Sequence, residues 1–234
     1  MHDFVYFDNW FDKKYRTKLD GRWATMKMAL NLARQRGRDT IFETGCQRMK
    51  DDWGAGCSTT IFCEFVERYG GHLCSVDNNE RHLKIAEELT RPWEPLRTLV
   101  LSDSVAALKK LDKLPGYAGP PGIVFLDSYD YPIGEIWNAF GGKTDLQAAI
   151  ERVAEIPEAQ LLSDFGDVIN PCQEHCLNEL LAALPFCDDK TVILIDDTSL
   201  SGGGKGRTAG IWLCENGYEC LLCSQQAVFV KASK

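Results

Sequence analysis

Apolar positions along this chain alternate between two rhythms. Short apolar runs at Thr40-Ile41-Phe42-Glu43, His72 to Asp77, Arg97 to Leu101, Ile123 to Asp127 and Thr191 to Ile195 predict buried strands. Between them, apolar residues recur at helical spacing over residues 57–69, over Asn79 to Leu89 with its face of Leu83, Ile85, Ala86 and Leu89, and over Ser104 to Leu111. Residues 207–216 predict a further helix, and 218–224 and 226–231 two closing strands. Ahead of all these, residues 10–37 predict one or two helices carrying Trp10, Phe11, Tyr15, Leu19, Trp23, Met26 and Leu30, stopped by Gly37. Core packing is the favoured role for that segment (1–38), with a lid over a substrate pocket as the alternative. Strands alternating with helices predict a parallel sheet covered on both faces, an α/β domain over 39–234.

Two stretches break the rhythm. Residues 46–56 make a long loop after the first strand. An inserted segment at about 129–170 opens with Tyr129-Asp130-Tyr131-Pro132, then holds a Gly141-Gly142 break and a helix at about 144–155. Long excursions at the ligand end of a sheet commonly carry substrate contacts.

Composition narrows the class. With 234 residues, 44% hydrophobic and 26% charged, the chain is expected to form one globular domain. Its net charge of -8 disfavours broad binding to nucleic acid or an anionic membrane. The opening Met1-His2-Asp3-Phe4 has no leader character, and no apolar run is long enough to span a bilayer, so a cytoplasmic location is expected. The ten cysteines are expected to be reduced and buried. A zinc site from Cys172, His175 and Cys176, or from Cys220 and Cys223, is disfavoured: an odd separation puts the latter pair on opposite faces of a strand, and no second Cys-x-x-Cys exists.

The polar residues gather where the strands end: Glu43, Asp77, Asp103, Asp127, Asp196 and Asp197. Ligands of such sheets bind outside those carboxyl ends. Glu43-Thr44-Gly45 feeds a glycine-bearing loop through Gly54-Ala55-Gly56 into Cys57-Ser58-Thr59, and a carboxylate in that turn suits a zwitterionic cofactor better than a pyrophosphate. Asp77 suits two ribose hydroxyls, or an N-cap, since Asn78 or Asn79 begins a helix. Ser102-Asp103-Ser104 suits an adenine amino group, or again a helix cap. The Gly202-Gly203-Gly204-Lys205-Gly206 loop lacks the spacing and following Ser/Thr of a phosphate loop.

In order, Glu43-Thr44-Gly45, Gly56-Cys57-Ser58-Thr59, Ser75-Val76-Asp77, Ser102-Asp103-Ser104, Val124-Phe125-Leu126-Asp127 and Leu194-Ile195-Asp196-Asp197-Thr198 resemble class I S-adenosylmethionine-dependent methyltransferases, closest to their small metal-dependent O-methyltransferase branch. The resemblance covers about residues 40–232. It implies a single Rossmann-like methyltransferase domain with a seven-stranded, mostly parallel sheet, an antiparallel C-terminal strand and helices on both faces. It implies S-adenosylmethionine as cofactor, with Glu43, Gly45 and Ser58 at its methionine part, Asp77 with Asn78 at the ribose, Asp103 and Ser104 by the adenine, and Asp127 adjoining. Asp127, Asp196 and Asp197 match the positions that bind a divalent cation such as Mg²⁺, which would orient a substrate hydroxyl and lower its pKa.

Two departures stand out. The Cys46–Ala55 insert lengthens the first loop. Tyr129-Asp130-Tyr131 stands where relatives often carry His or Lys, which leaves Asp130 as the expected general base and Lys205 as runner-up. The expected activity is O-methylation of a small-molecule hydroxyl. The alternatives are metal-independent methylation of nitrogen or of a protein, and a non-catalytic cofactor-binding protein of the same fold. An NAD-dependent oxidoreductase is disfavoured by the missing Gly-x-Gly-x-x-Gly turn. A small-molecule acceptor is the expected partner, and a homo-oligomer is left open.

Overall fold

Each central strand is buried on both faces, and its side chains alternate between two cores. Ile41, Leu73, Ile123, Phe125, Val192 and Leu194 point to one side. Phe42, Cys74, Val76, Val124, Leu126, Ile193 and Ile195 point to the other. This double burial is why the strands read as continuous apolar runs. The computed structural model describes residues 2–53, 57–139 and 151–232.

The strands are β1 (Thr40–Thr44), β2 (His72–Asp77), β3 (Arg97–Leu101), β4 (Ile123–Leu126), β5 (Val192–Ile195), β6 (Tyr218–Cys223) and β7 (Ala227–Lys231). They form one seven-stranded sheet in the order β3-β2-β1-β4-β5-β7-β6. Pairing is parallel from β3 to β5, and β7 runs antiparallel to both β5 and β6. The predicted mostly parallel sheet with an antiparallel C-terminal strand is what forms. The order reverses at β1 and β4, whose carboxyl ends open the crevice where ligands of such sheets bind.

The helices are α1 (His2–Tyr15), α2 (Trp23–Gln35), α3 (Ser58–Tyr69), α4 (Glu80–Leu89), α5 (Ser104–Leu108), α6 (Ile133–Ala139), α7 (Glu158–Ala183) and α8 (Arg207–Glu215). Phe11, Tyr15, Met26 and Leu30 of α1 and α2 join Ile61, Phe62 and Phe65 of α3 on the first face. Leu108 of α5, Cys176 and Leu180 of α7, and Leu213 of α8 cover the second. Each such side chain, fully removed from water, contributes about 1.5–3 kcal/mol of hydrophobic free energy. Among the described residues, no helix is long and apolar enough to cross a membrane.

Strand limits follow the predicted runs closely, but the inserted segment does not. The sequence does not predict the 26-residue α7, because Pro171 lies inside it and four of its nine buried residues are small or thiol side chains, Cys172, Cys176, Ala182 and Ala183. Its first half joins Tyr131, Ile133, Ile136 and Val153 in a satellite core of its own. Gly54-Ala55-Gly56, the Gly141-Gly142 break and the start of the helix expected at about 144–155 lie outside the described residues.

The cysteines divide. Cys46, Cys57, Cys63, Cys74, Cys172 and Cys176 are buried, but Cys214, Cys220 and Cys223 are exposed. Cys220 and Cys223 sit on the edge strand, where a register shift between Cys220 and Leu222 sets them opposite Phe229 and Ala227, two residues apart on β7, and so on one face of the strand rather than the two expected.

Candidate functional site

At the β1 end, Glu43 is held by neutral donors alone. Pairing with β2 sets it opposite Ser75, whose Oγ donates to Glu43 Oε2 at 2.6 Å. Ser58 Oγ and Thr59 Oγ1, at the start of α3, donate at 2.5 and 2.8 Å. The carboxylate is fully buried, and that burial pushes its pKa up to about 7 against the pull of the three hydroxyls. Glu43 therefore ties the first turn of α3 to two strands. Gly45 follows with φ +76, and a Cβ there would lie 2.4 Å from the Asp127 carbonyl oxygen. Only glycine lets the exits of β1 and β4 pack this closely.

Asp77 ends β2. Its Oδ1 accepts from the Asn79 amide at 2.7 Å, and its Oδ2 from the Cys46 amide at 3.1 Å, which draws the long loop after β1 against it. Asn78 beside it is exposed. Asn79, not Asn78, caps α4 through the Arg81 amide at 2.9 Å. Asp103 caps α5 through the Ala106 amide at 2.8 Å.

Ser104 is buried in a polar knot. Its Oγ lies 3.0 Å from His175 Nε2 and 3.2 Å from Ser128 Oγ, and Ser128 donates to Glu179 at 2.5 Å. Hydrogen bonding to the Glu179 carboxylate, more than that group's charge, raises the His175 pKa.

The ends of β4 and β5 are built differently. Asp127, Asp196 and Asp197 each place a carboxylate oxygen within 4.8 Å of the others, forming among the described residues the one group of three or more with metal-ligand geometry. The chain answers these three charges with two of its own. Arg22, from the turn before α2, donates through Nε to Asp196 Oδ1 at 2.9 Å and Oδ2 at 3.3 Å, and through Nη2 to Asp197 Oδ1 at 3.1 Å. Lys205 Nζ bonds to Asp127 Oδ1 and lies 3.5 Å from Asp197 Oδ2.

Lys205 is buried at 1% exposure. Burial alone would lower its pKa, but Asp127, Asp197 and Asp196 outweigh it and raise the value, so the ammonium stays charged. Burial likewise pushes Asp127 well up, opposed by Lys205.

A cavity of about 790 Å³ opens over this cluster. It is lined by Arg22, Asp127, Asp196 and Asp197, by Leu19 and Asp20 of the N-terminal turn, by Arg48 and Asp52 of the first loop, and by Asp130, Tyr131, Ile133 and Val153 of the inserted segment. Its size is that of a small-molecule site.

The structure thus brings Asp127, Asp130, Asp196 and Asp197 to one cavity, with Lys205 behind its wall. Glu43 and Ser58 are enclosed and bonded to each other. Asp130 pairs with Arg48 at 2.7 Å on the exposed rim. Lys205, expected as a runner-up base, is held as a cation.

As a donor set the triad is hard and all oxygen, as Mg²⁺ requires. Yet five of its six oxygens already face Arg22 or Lys205, leaving Asp127 Oδ2 as the one without a cation among the described residues. In this arrangement the triad does not fit a divalent ion. The carboxylates at the ends of β2 and β3 are acceptors that suit hydroxyls and would repel a phosphate, whereas Glu43 at the end of β1 is enclosed by its three hydroxyl donors.

Arg22 and the Ser128–His175–Glu179 knot are absent from the expected site. His175 drew notice beside Cys172 and Cys176 as a zinc ligand, but Cys172 donates to the Ile169 carbonyl at 3.0 Å and Cys176 is buried in the core. The i, i+4 pair His175/Glu179 was the available signal for the knot. Arg22 left none.

No protein-family profile and no curated protein matches the chain by sequence. Solved structures do match by shape. The O-methyltransferase TomG from Streptomyces achromogenes, involved in tomaymycin synthesis and in complex with SAM, has a TM-score of 0.52 at 12% identity, over 97% of this chain and 96% of that one. An O-methyltransferase from Bacillus cereus in complex with SAH gives 0.50 at 12% identity, over 97% and 96%. NSun6 from Pyrococcus horikoshii, with SFG, gives 0.53 at 14% identity, over 88% of this chain and 52% of that one. The chain therefore has the Rossmann-like fold of these methyltransferases.

Proposed function

We propose that this chain transfers the methyl group of S-adenosylmethionine to a hydroxyl of a small molecule held in the cavity over β4 and β5. The observation that carries the proposal is the position of that cavity: Asp127, Asp196 and Asp197 line it, and Asp127 packs against Gly45 at the mouth of the cofactor edge. A methyl donor lying along the ends of β1 and β2 would face an acceptor in the cavity across Asp127.

The cofactor supplies a methyl group on a positively charged sulfur, already activated for displacement. Glu43 positions the loop and α3 beside it, Asp77 accepts from the ribose, and Asp103 and Ser104 border the adenine. The acceptor oxygen bonds to the methyl carbon, and the carbon–sulfur bond breaks with its electron pair left on sulfur. The acceptor proton goes to Asp127 Oδ2. Asp130, on the exposed rim beside Arg48, directs the acceptor from outside. Positioning supplies most of the acceleration in such an in-line transfer. A divalent cation at Asp127, Asp196 and Asp197 would act as a Lewis acid on the acceptor hydroxyl. With those oxygens committed to Arg22 and Lys205, the transfer is left to the chain's own residues.

Two measurements test the reading. Calorimetry with S-adenosylhomocysteine should show saturable binding in the micromolar range, and its absence would overturn the proposal. Labelled methyl transfer to a panel of phenols, sugars and hydroxy acids should then give O-methyl product. A second reading, N-methylation of an amine that enters as its cation and gives up a proton to a cavity carboxylate before transfer, is favoured by one feature: six aspartates line the cavity against two arginines. Label found on nitrogen in a matched amine panel would select it.

A further inference from the structure

We infer that Lys205 and Arg22 are the resident cations of the Asp127–Asp196–Asp197 cluster and stand in the place of a divalent ion, so that the site works without bound metal. This rests on the methyl-transfer reading for its purpose, but not for its test.

The two cations are placed by dedicated structure. Lys205 is delivered by the glycine loop after β5. Asp197 has φ +53 and Gly204 φ +58, and a Cβ on Gly204 would lie 1.6 Å from the Asp197 carbonyl oxygen. The loop therefore folds back onto the very residues whose carboxylates it neutralises, and only glycine permits that contact. Gln173 of α7 fastens it from the other side, with Nε2 donating to the carbonyls of Gly202 at 3.1 Å and Gly204 at 2.9 Å. The glycines that superficially suggest a phosphate loop serve instead to bury an ammonium.

Arg22 is fastened with equal care. Its Nη1 donates to Gln225 Oε1 at 3.1 Å, and Ser224 Oγ donates to the Gly21 carbonyl at 3.0 Å, which pins the N-terminal turn to the β6–β7 turn.

Charge and geometry then agree. Three carboxylates and two cations leave one negative charge, and the oxygen left over, Asp127 Oδ2, belongs to a residue on the cavity wall. A divalent ion entering among the carboxylates would meet a buried ammonium and a guanidinium within contact distance of the same oxygens. Lys205 lies behind the wall and touches no acceptor, so it is a positioning residue: it aims Asp127 and holds the cluster's charge.

Mn²⁺ alone is the probe, followed by electron paramagnetic resonance with no cofactor or acceptor present. The wild-type chain should show no saturable Mn²⁺ site up to millimolar concentration. Lys205→Met should create one, at least about tenfold tighter than any residual wild-type binding, because it strips the cation and leaves the hard oxygens free. Adding Asp127→Asn should abolish that gain. Where Lys205→Met does not fold, Lys205→Gln replaces it, and the wild-type titration stands by itself.

Saturable wild-type binding that Asp127→Asn or Asp196→Asn weakens would overturn the inference, and so would a folded Lys205 variant that gains no site. Calorimetry with S-adenosylhomocysteine in EDTA is read separately. Its failure removes the methyl-transfer reading and leaves the Mn²⁺ result to judge the resident cations alone.

Discussion

The two halves of the crevice handle buried carboxylates in opposite ways. At the β1–β2 side, Glu43 is satisfied by three hydroxyls, and Asp77 by two backbone amides with the Cys46 thiol and the His82 ring beside it; no lysine or arginine among the described residues pairs with either. At the β4–β5 side, Asp127, Asp196 and Asp197 are satisfied by full positive charges, one of them from a turn 174 residues away in sequence. Neutral donors leave a carboxylate as a fixed acceptor of moderate cost. Buried ion pairs are more brittle, because removing one partner strands the other. In the first half Glu43 is thus an enclosed anchor and Asp77 the acceptor proposed for a ligand, while the second half holds charge in a set geometry.

The contrast can be broken at its strongest point. Lys205→Met leaves Asp127 and Asp197 short of their buried partner and should destabilise the fold by about 3–5 kcal/mol, with Lys205→Met/Asp127→Asn recovering a large part of it. Urea melts of the three proteins check this, and a single variant as stable as wild type would remove the claim that the β4–β5 cluster is brittle.

On the other side, Asp77→Ala should weaken S-adenosylhomocysteine on the order of 100-fold, through loss of charge-assisted bonds to ribose, while thermal melting shows a folded chain. Undiminished affinity would mean that the β2 end does not recognise the ligand.

A pH series sharpens the difference. The native pKa of Glu43 is raised to about 7 from an ordinary 4.5, so between those values the folded chain holds a proton that the unfolded chain has released. Its contribution to stability is therefore present below about 4.5 and lost as pH rises through about 7. The loss is on the order of 1–3 kcal/mol. Glu43→Gln should flatten that part of the pH profile of the urea midpoint, whereas an unchanged slope would show that the carboxylate stays ionised throughout.

The smallest effect belongs to the rim. Arg48 and Asp130 form an exposed pair, and Arg48→Ala should shift stability by no more than about 1 kcal/mol. A KM for the acceptor that moves while kcat and melting temperature hold would assign the pair to acceptor capture.

Much of this was legible in the sequence. The strands were, because double burial writes them as unbroken apolar runs, and so was the gathering of acids at their ends, because parallel pairing places the carboxyl ends of β1 to β5 along one edge. Asp127, Asp196 and Asp197 do meet, as neighbours on β4 and β5 must. Helix α7 was not legible: Pro171 interrupts its signal and its buried stripe is weakly apolar. Nor was the enclosure of Glu43, since three hydroxyls from two elements leave no pattern that distinguishes an anchor from a ligand contact.

What the sequence by itself determined is the alternation of strands and helices, the sheet it implies and the line of carboxylates at one edge, all local consequences of periodicity and chain direction. Only the tertiary structure decided what neutralises those carboxylates. Arg22 reaches Asp196 because the N-terminal turn packs on the β6–β7 turn, and Lys205 reaches Asp127 because a glycine loop can lie against Asp197. Charge pairing depends on distance in space, and neither contact has a spacing along the chain from which it could have been read.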